Sequence, residues 1–335
     1  MKVLIIGAGQ AGITTAKTLK QLDPETDITV FDSETTGLYA KMRLPELVAG
    51  TLAEEKLFLA KPEALHNLGI KTEFGIRVSA IDPAAHCVKT EDGREFSYDK
   101  LILACGAMAF VPPVKGSESI ISCVLRTLND ARKISCSCGN DAEALVIGGG
   151  LLGLEAAWAL RQRGFTVTVS EFMNRLLPKQ LNDAESALLL KKLQSPGLQI
   201  RLNSTLEEVS RKEDGKINAR FSDGTILTCD LLLFSAGIRS NISLAQKAGL
   251  QTERGIVVDS RLCTSDPDIF AVGDCAELDG KTPGLWLAAK DQGTAVAEII
   301  AGKRDSFVSP VYTPNLKIAG IQLKEIKQEA AAEKA

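Results

Sequence analysis

The stretch VLIIGAGQAGITTA, residues 3–16, places an apolar run before three glycines and a helix-like segment after them. The apolar run predicts a buried strand, and Gly7, Gly9 and Gly12 have the G-x-G-x-x-G spacing. Such glycines allow a tight turn, a close approach of the backbone to a pyrophosphate, and close packing of the helix. The helix then presents its amino terminus to the phosphate charge, so the stretch predicts a dinucleotide site.

A carboxylate at a suitable distance supports this interpretation. The segment DITVFDSE, residues 27–34, predicts a second strand that ends on Asp32, which lies 20 residues after Gly12. An acid at this place binds the ribose hydroxyls of a dinucleotide. Glu34 is a weaker candidate for the same role. A glycine-rich turn without a ligand is the alternative, and the combination of strand, helix and acid favours the ligand site.

The same pattern occurs a second time in the chain. The stretch ALVIGGGLLGLEAA, residues 144–157, carries Gly148, Gly150 and Gly153, and TVTVSE, residues 166–171, ends on Glu171. A carboxylate beside the ribose favours a free 2′-hydroxyl and therefore NADH over NADPH, although the nearby Arg175 weakens that preference. Hairpins with DG turns and a buried strand follow each motif. We therefore predict an α/β fold with two Rossmann-like three-layer dinucleotide-binding domains.

Length and composition limit the possible classes of protein. The 335 residues are enough for two or three domains, and the net charge of −3, without a basic block, argues against a nucleic-acid partner. No apolar run reaches about 18 residues, so no membrane span is expected. No export signal is visible, and we expect a cytoplasmic protein. The scattered cysteines and two histidines predict no metal site.

Further segments resemble one family in their content and in their order. LILACGA (residues 101–107), FSAGIRSN (234–241) and TSDPDIFAVGDCAE (264–277) are similar to segments of the pyridine nucleotide-disulfide oxidoreductases, flavoproteins with two dinucleotide folds. A lysine in YAKMRLPE (39–46) and the lack of a relay cysteine before residue 87 resemble the NAD(P)H:rubredoxin oxidoreductase and nitrite reductase branch. Cys136 and Cys138 form a CxC pair to which we assign a structural or incidental role, and Cys275 is expected to be a buried small residue.

The resemblance implies a domain order and two cofactors. It places FAD in residues 1–113 and 240–305, and NADH, with NADPH possible, in an inserted domain of residues 114–239. Residues 306–335 would be a remnant of a C-terminal interface domain that is largely missing, which leaves the oligomeric state open. The end of the chain, LKEIKQEAAAEKA (323–335), predicts a frayed surface helix or a disordered end.

The resemblance also implies roles for individual residues. Lys41 and Glu155 would flank flavin and nicotinamide: Lys41 stabilises electron density on the reduced ring, and Glu155 holds the lysine and orients the carboxamide. The alternatives are a solvated loop lysine, and a glutamate in a helix's first turn that interacts with the dipole. The other implied FAD contacts are Gly7, Gly9, Gln10, Ala11, Gly12, Asp32, Val78, Ala104, Gly106, Arg126, Asp274, Trp286 and Lys317. The implied NAD contacts are Gly148, Gly150, Leu152, Gly153, Glu171 and Gly237.

The activity implied by the resemblance is transfer of hydride from NADH to flavin. Reduced flavin can release electrons one at a time, so a small iron protein such as rubredoxin is the expected acceptor. Two alternatives stay open: a flavoprotein subunit or sensor that binds NADH without rapid turnover, and a thiol or disulfide reductase.

Overall fold

The computed structural model describes residues 1–119, 123–137, 139, 141–194, 197–313, 316, 318 and 320–332. The strands in chain order are β1 (Lys2–Ile6), β2 (Asp27–Asp32), β3 (Leu38–Tyr39), β4 (Phe58–Ala60), β5 (Ile70–Phe74), β6 (Val78–Asp82), β7 (Cys87–Thr90), β8 (Glu95–Ser97), β9 (Lys100–Leu103), β10 (Ala107–Ala109), β11 (Glu143–Ile147), β12 (Thr166–Ser170), β13 (Gln199–Arg201), β14 (Leu206–Arg211), β15 (Ile217–Phe221), β16 (Ile226–Cys229), β17 (Leu231–Phe234), β18 (Ile238–Ser240), β19 (Ile256–Val258), β20 (Ile269–Ala271) and β21 (Ala276–Leu278).

Helices and short 3₁₀ turns connect these strands. The α-helices in chain order are α1 (Gln10–Leu22), α2 (Leu44–Val48), α3 (Pro62–His66), α4 (Leu128–Ser137), α5 (Leu151–Gln162), α6 (Asp183–Gln194), α7 (Ser243–Lys247), α8 (Trp286–Ile300) and α9 (Leu323–Ala332). The 3₁₀ turns cover Lys41–Arg43, Glu54–Leu57, Ser117–Ser119 and Gly273–Cys275. Within the described ranges, the helices are too short or too polar to span a bilayer.

The chain forms two compact units. The first contains Met1–Ala40, Phe58–Met108 and Ile238–Thr313, and the second contains Lys41–Leu57, Ala109–Gly237 and Pro314–Ala335. Each unit takes in separate stretches of chain, so neighbours in the sequence, such as Ala40 and Lys41, belong to different units.

A parallel sheet of five strands, in the order β20–β9–β1–β2–β5, organises the first unit. Its central strand β1 is apolar, and Val3, Leu4 and Ile5 are fully buried, as expected for a parallel sheet that is covered on both faces. Helices α1 and α8 pack together beside the sheet. The antiparallel sheet β6–β7–β8 also contributes to the core. The ring of Phe96 packs edge to face on the ring of Phe31, with the ring centroids 4.9 Å apart.

The second unit repeats this plan. Its parallel sheet has the order β13–β12–β11–β17, and an antiparallel sheet, β14–β15–β16, follows β13 in the chain. Side chains of both sheets share one core, which includes Leu145, Leu232 and Phe221. The DG pairs at residues 92–93, 214–215 and 223–224 lie in turns between hairpin strands, as predicted. The α/β fold class with two dinucleotide-binding folds is confirmed.

The C-terminal helix α9 differs from the prediction. Leu323, Ile326 and Ala330 are buried at helical spacing, and Lys192 of α6 forms an ion pair with Glu329 at 2.7 Å. The predicted helix is confirmed for residues 323–332, whereas the expectation that it is frayed or disordered is wrong for them. The charged and alanine-rich composition concealed an apolar stripe that packs on the second unit.

Candidate dinucleotide sites

The first glycine motif forms a turn in which the glycines have different tasks. Gly7 has a φ of +113°, and a Cβ there would lie 2.2 Å from the Ala104 carbonyl oxygen. A Cβ on Gly12 would lie 1.9 Å from the Gly7 carbonyl oxygen. A Cβ on Gly9, in contrast, would meet no atom within 4 Å. Two glycines are therefore required by packing, and the third borders open space.

This open space lies at the amino terminus of α1. Gly9 is the N-cap residue, and no side chain caps the helix. The first turn contains no acidic residue, so its N–H groups and the helix dipole are available to a phosphate. Gln10 and Ala11 begin this helix, and the Gln10 amide donates to the Thr14 hydroxyl at 3.1 Å. The turn fits the pyrophosphate of a dinucleotide.

Asp32 is held against the glycine turn by two backbone hydrogen bonds. Its Oδ2 accepts from the Ala8 N–H at 2.5 Å, and its Oδ1 accepts from the Glu34 N–H at 2.8 Å. The carboxylate of Glu34 accepts from the Tyr39 hydroxyl at 2.7 Å. This geometry favours Asp32 as the ribose ligand and gives Glu34 a structural task.

The turn that carries Asp274 lies close to the start of α1. A Cβ on Gly273 would lie 3.0 Å from the Ala11 Cβ, and a Cβ on Gly293 of α8 would lie 2.5 Å from the Ala11 oxygen. The buried Gln292 accepts from the Gly273 N–H at 2.7 Å. Gly273, Gln292 and Gly293 are not among the residues predicted from the sequence, although a glycine inside the helical pattern AAKDQGTAVAEII is a usable signal.

The other predicted FAD contacts of the first unit lie at strand and helix ends. Val78 opens β6 and is paired with Thr90. The Ala104 N–H donates to the Ile6 oxygen at 2.8 Å, and the Gly106 oxygen accepts from the Asn241 N–H at 2.9 Å. Trp286 is the first residue of α8. The backbone carbonyl oxygen of Asp274 accepts a hydrogen bond from the Ser240 hydroxyl at 2.7 Å. Lys317 lies outside the described residues.

The second glycine motif reproduces the first. Gly148 has a φ of +121°, and a Cβ there would lie 2.4 Å from the Ser235 oxygen. A Cβ on Gly153 would lie 2.0 Å from the Gly148 oxygen, whereas a Cβ on Gly150 would meet nothing within 4 Å. Gly150 is the uncapped N-cap residue of α5, in whose first turn Leu152 is exposed.

Glu171 corresponds to Asp32 in its contacts. Its Oε2 accepts from the Gly149 N–H at 2.6 Å, and its Oε1 accepts from the Met173 N–H at 2.9 Å. The side chain is only 8% exposed. Arg175, the residue expected to weaken a preference for NADH, forms an ion pair with Asp183 at 2.7 Å. Gly237 follows β17, and its oxygen accepts from the Phe110 N–H at 2.9 Å.

Lys41 and Glu155 both belong to the second unit. Lys41 begins the 3₁₀ turn before α2. This turn belongs to the second unit, whereas the preceding strand β3 belongs to the first. Glu155 is the fifth residue of α5 and only 8% exposed. The prediction of a first-turn position is therefore wrong, because α5 begins at Leu151. The helix dipole at the first turn does not explain a buried carboxylate in the second turn.

Arg126 lies directly before a capped helix. The Thr127 hydroxyl accepts from the Asp130 N–H at 3.2 Å, and the Asp130 carboxylate accepts from the Thr127 N–H at 2.8 Å. This reciprocal pair is a capping box at the start of α4. The Arg126 N–H reaches the same carboxylate at 3.1 Å, which fixes its backbone.

The cysteines differ in their reactivity. Cys275 is fully buried, as predicted, and its thiol donates to the Leu103 and Val272 oxygens at 3.3 Å. Burial raises the pKa of Cys275 to about 11 and the pKa of Cys105 well above its ordinary value. Both thiols therefore stay protonated at neutral pH and are poor nucleophiles. Cys136 is exposed near the end of α4, and Cys138 lies outside the described residues.

The raised pKa of Cys275 predicts a loss of stability at high pH. The unfolded chain ionises this thiol at pH 9.0 and above, while the folded chain keeps it protonated until about pH 11. The free energy of unfolding should therefore fall between these values, by on the order of 2 kcal/mol. Urea unfolding at pH 8, 9.5 and 10.5 measures this. The variant Cys275→Ala should have a flatter profile, and an unchanged profile would contradict the assignment.

Comparison with known proteins agrees with this geometry. The family model described as pyridine nucleotide-disulphide oxidoreductase matches residues 1–293. The large subunit of a nitrite reductase [NAD(P)H] from Klebsiella oxytoca is 37% identical over 306 residues, which are 91% of this chain and 32% of that protein. The chain thus spans about a third of that relative. An NADH-rubredoxin oxidoreductase from Clostridium acetobutylicum is 32% identical over 96% of this chain and 80% of its own length.

A solved structure has a similar backbone over nearly the whole chain. An NAD-dependent persulfide reductase from A. fulgidus superimposes with a TM-score of 0.90 at 29% identity, covering 99% of this chain and 66% of that one. The matches confirm the predicted family with its rubredoxin and nitrite reductase branch, the fold class, and the cofactor pair of FAD and a nicotinamide dinucleotide. The two glycine turns share one geometry, and the family model matches most of the chain. The chain therefore belongs to the pyridine nucleotide-disulphide oxidoreductase family.

Proposed function

We propose that the chain is an FAD-dependent NADH oxidoreductase that passes electrons to a small acceptor, a rubredoxin-like iron protein. The observation that carries this proposal is the duplicated turn. In both units a glycine that borders open space is the N-cap residue of a helix without a side-chain cap, and a carboxylate accepts a hydrogen bond from the turn itself. One chain therefore offers two places for a dinucleotide, as an enzyme with one resident and one visiting cofactor requires.

In this proposal the first unit holds FAD and the second holds NADH. The N–H groups around Gly9 would bind the FAD pyrophosphate, Asp32 the ribose, and Asp274 the ribityl chain. The N–H groups around Gly150 would bind the NADH pyrophosphate, and Glu171 would bind the adenosine ribose. Bound FAD would accept hydride from the nicotinamide and release electrons one at a time.

The residues of the chain position and polarise the reactants. Hydride transfer needs no acid or base, so the protein contributes mainly through orientation. Lys41 would supply a positive charge near the flavin, and Glu155 would fix that lysine and orient the carboxamide of the nicotinamide. The burial of Glu155 in the second turn of α5 supports this role, because a buried carboxylate is costly unless it pairs with a charged or hydrogen-bonding group, as Lys41 would provide in this proposal.

The choice of acceptor rests on two considerations. The Clostridium relative is named an NADH-rubredoxin oxidoreductase. In addition, burial keeps the thiols of Cys105 and Cys275 protonated, which argues against a thiol relay in the first unit. A thiol or persulfide reductase is the second candidate, favoured by the exposure of Cys136 and by the similarity to the persulfide reductase structure.

An anaerobic titration with NADH tests the proposal. NADH should bleach the visible absorbance of the oxidised flavin, and added rubredoxin should restore it rapidly. A flavin that NADH does not bleach would refute the oxidoreductase. Bleaching that rubredoxin does not relieve, but a disulfide or persulfide does, would favour the second candidate.

Two further arms separate the remaining alternatives. The double variant Cys136→Ser with Cys138→Ser should keep its full rate with rubredoxin if no thiol relays electrons. A sensor would be reduced once by NADH and reoxidised slowly by every acceptor, whereas a reductase turns over repeatedly. Steady-state turnover with rubredoxin therefore decides between these two.

A further inference from the structure

One arginine joins the ends of three helices in the second unit. Arg163 follows the last residue of α5 as its C-cap. Its Nη1 donates to the oxygen of Val48, the last residue of α2, at 3.1 Å. Its Nη2 donates to the oxygen of Ser135 in α4 at 2.6 Å. The guanidinium thus fastens α2 to the helix that carries Glu155.

The chemistry of these bonds suits an arginine and not a lysine. The last carbonyl groups of a helix lack partners within the helix and carry partial negative charge. Bonds from a charged donor to such groups are stronger than bonds between neutral groups. The planar guanidinium reaches two carbonyls in fixed directions, whereas an ammonium group is a single compact charge.

The position of α2 determines the position of Lys41. The 3₁₀ turn Lys41–Arg43 leads directly into α2, and Leu44 and Val48 of this helix are buried. Lys41 precedes Val48 by seven residues, and no loop separates the 3₁₀ turn from α2. A displacement of α2 therefore displaces Lys41 as well.

A second arginine fastens the same segment at its other end. Arg132 of α4 donates through Nε to Glu54 Oε2 at 2.9 Å, and its Nη2 bonds the other carboxylate oxygen. Arg132 also lowers the pKa of Glu54. Glu54 lies thirteen residues after Lys41 in the sequence. In these contacts Arg132 bonds the side chain of Glu54 and not a carbonyl group at the end of α2.

We infer that Arg163 is a positioning residue: by holding α2 to α5, it fixes Lys41 relative to Glu155. This inference rests on the proposed function for its effect on rate, but the placement of Lys41 can be measured independently. It assigns a task to a residue that lies eight positions beyond Glu155 on the same helix and that no glycine motif includes.

The test uses the holoenzyme and the variants Arg163→Lys and Arg132→Lys, the second being the matched control. Small displacements of a positioned group can cost on the order of a hundredfold in rate, and we expect flavin reduction by saturating NADH to be about tenfold slower in Arg163→Lys. Arg132→Lys should lose stability without this slowing. A rate for Arg163→Lys within twofold of wild type would overturn the inference.

Two further measurements separate positioning from a general loss of stability. In a Lys41→Met background, Arg163→Lys should cause no additional slowing; an unchanged tenfold effect there would overturn the inference. Acetylation of Lys41, quantified by mass spectrometry, should be faster in Arg163→Lys than in wild type or Arg132→Lys. Equal acetylation would also overturn it. If NADH fails to reduce the wild-type flavin, the proposed function is lost, but a difference in acetylation would still support the placement of Lys41 by Arg163.

Discussion

Replacing Gly9 by alanine is expected to give a folded chain without FAD, whereas replacing Gly12 by alanine is expected to disrupt the first unit. A methyl group on Gly9 meets no protein atom within 4 Å, so it would occupy the space in which the pyrophosphate approaches the backbone. A methyl group on Gly12 would lie 1.9 Å from the Gly7 oxygen and cannot be accommodated without moving the backbone. Such overpacking typically costs about 1–3 kcal/mol, and a clash with backbone atoms belongs at the upper end of this range.

The two variants should therefore fail in different ways. After purification, Gly9→Ala should have a cooperative thermal transition and little flavin absorbance, and Gly12→Ala should be insoluble or unfold without a clear transition. The second motif offers a matched control, because Gly150→Ala borders equally open space in the other unit. That variant should retain FAD and lose affinity for NADH. Full retention of FAD by Gly9→Ala would show that the first motif does not bind the pyrophosphate.

The parts of the site that follow one continuous stretch of chain were predictable. The turns around Gly9 and Gly150 depend on steric requirements that act over a few residues, and these leave a fixed spacing in the sequence. Asp32 and Glu171 follow because a parallel strand ends beside the turn. Their hydrogen bonds to the turn are equivalent, which the repeated spacing already indicated.

The parts that depend on long-range packing were not predictable. The approach of Gly273 and Gly293 to Ala11 joins segments about 260 to 280 residues apart, and no local pattern records such a contact. For the same reason the contact of Arg163 with Val48 cannot be predicted from the sequence. The sequence places Glu155 one helical turn too early, because a sequence pattern defines the start of a helix only to within a few residues.

Replacing Glu171 by alanine is expected to weaken the binding of NADH by tenfold to hundredfold and the binding of NADPH much less. A hydrogen bond to a charged group contributes about 1.5–3 kcal/mol, and each 1.4 kcal/mol corresponds to about a factor of ten in affinity. NADH would lose its bonds from the ribose hydroxyls to this carboxylate. NADPH would lose similar contacts but would gain from the removal of a negative charge beside its 2′-phosphate.

Anaerobic titration of each nucleotide against holoenzyme whose flavin has first been reduced, so that no hydride is transferred, measures the ratio of the two dissociation constants. Asp32→Ala is the matched control, because Asp32 accepts the equivalent hydrogen bond in the other motif; it should lower FAD retention and leave the ratio unchanged in the molecules that keep FAD. Alanine at position 171 also leaves the N–H groups of Gly149 and Met173 without their acceptor, so a modest fall in melting temperature is expected. Equal weakening of both nucleotides would mean that Glu171 only supports the turn, and the preference for NADH would then have to come from other residues of the second unit.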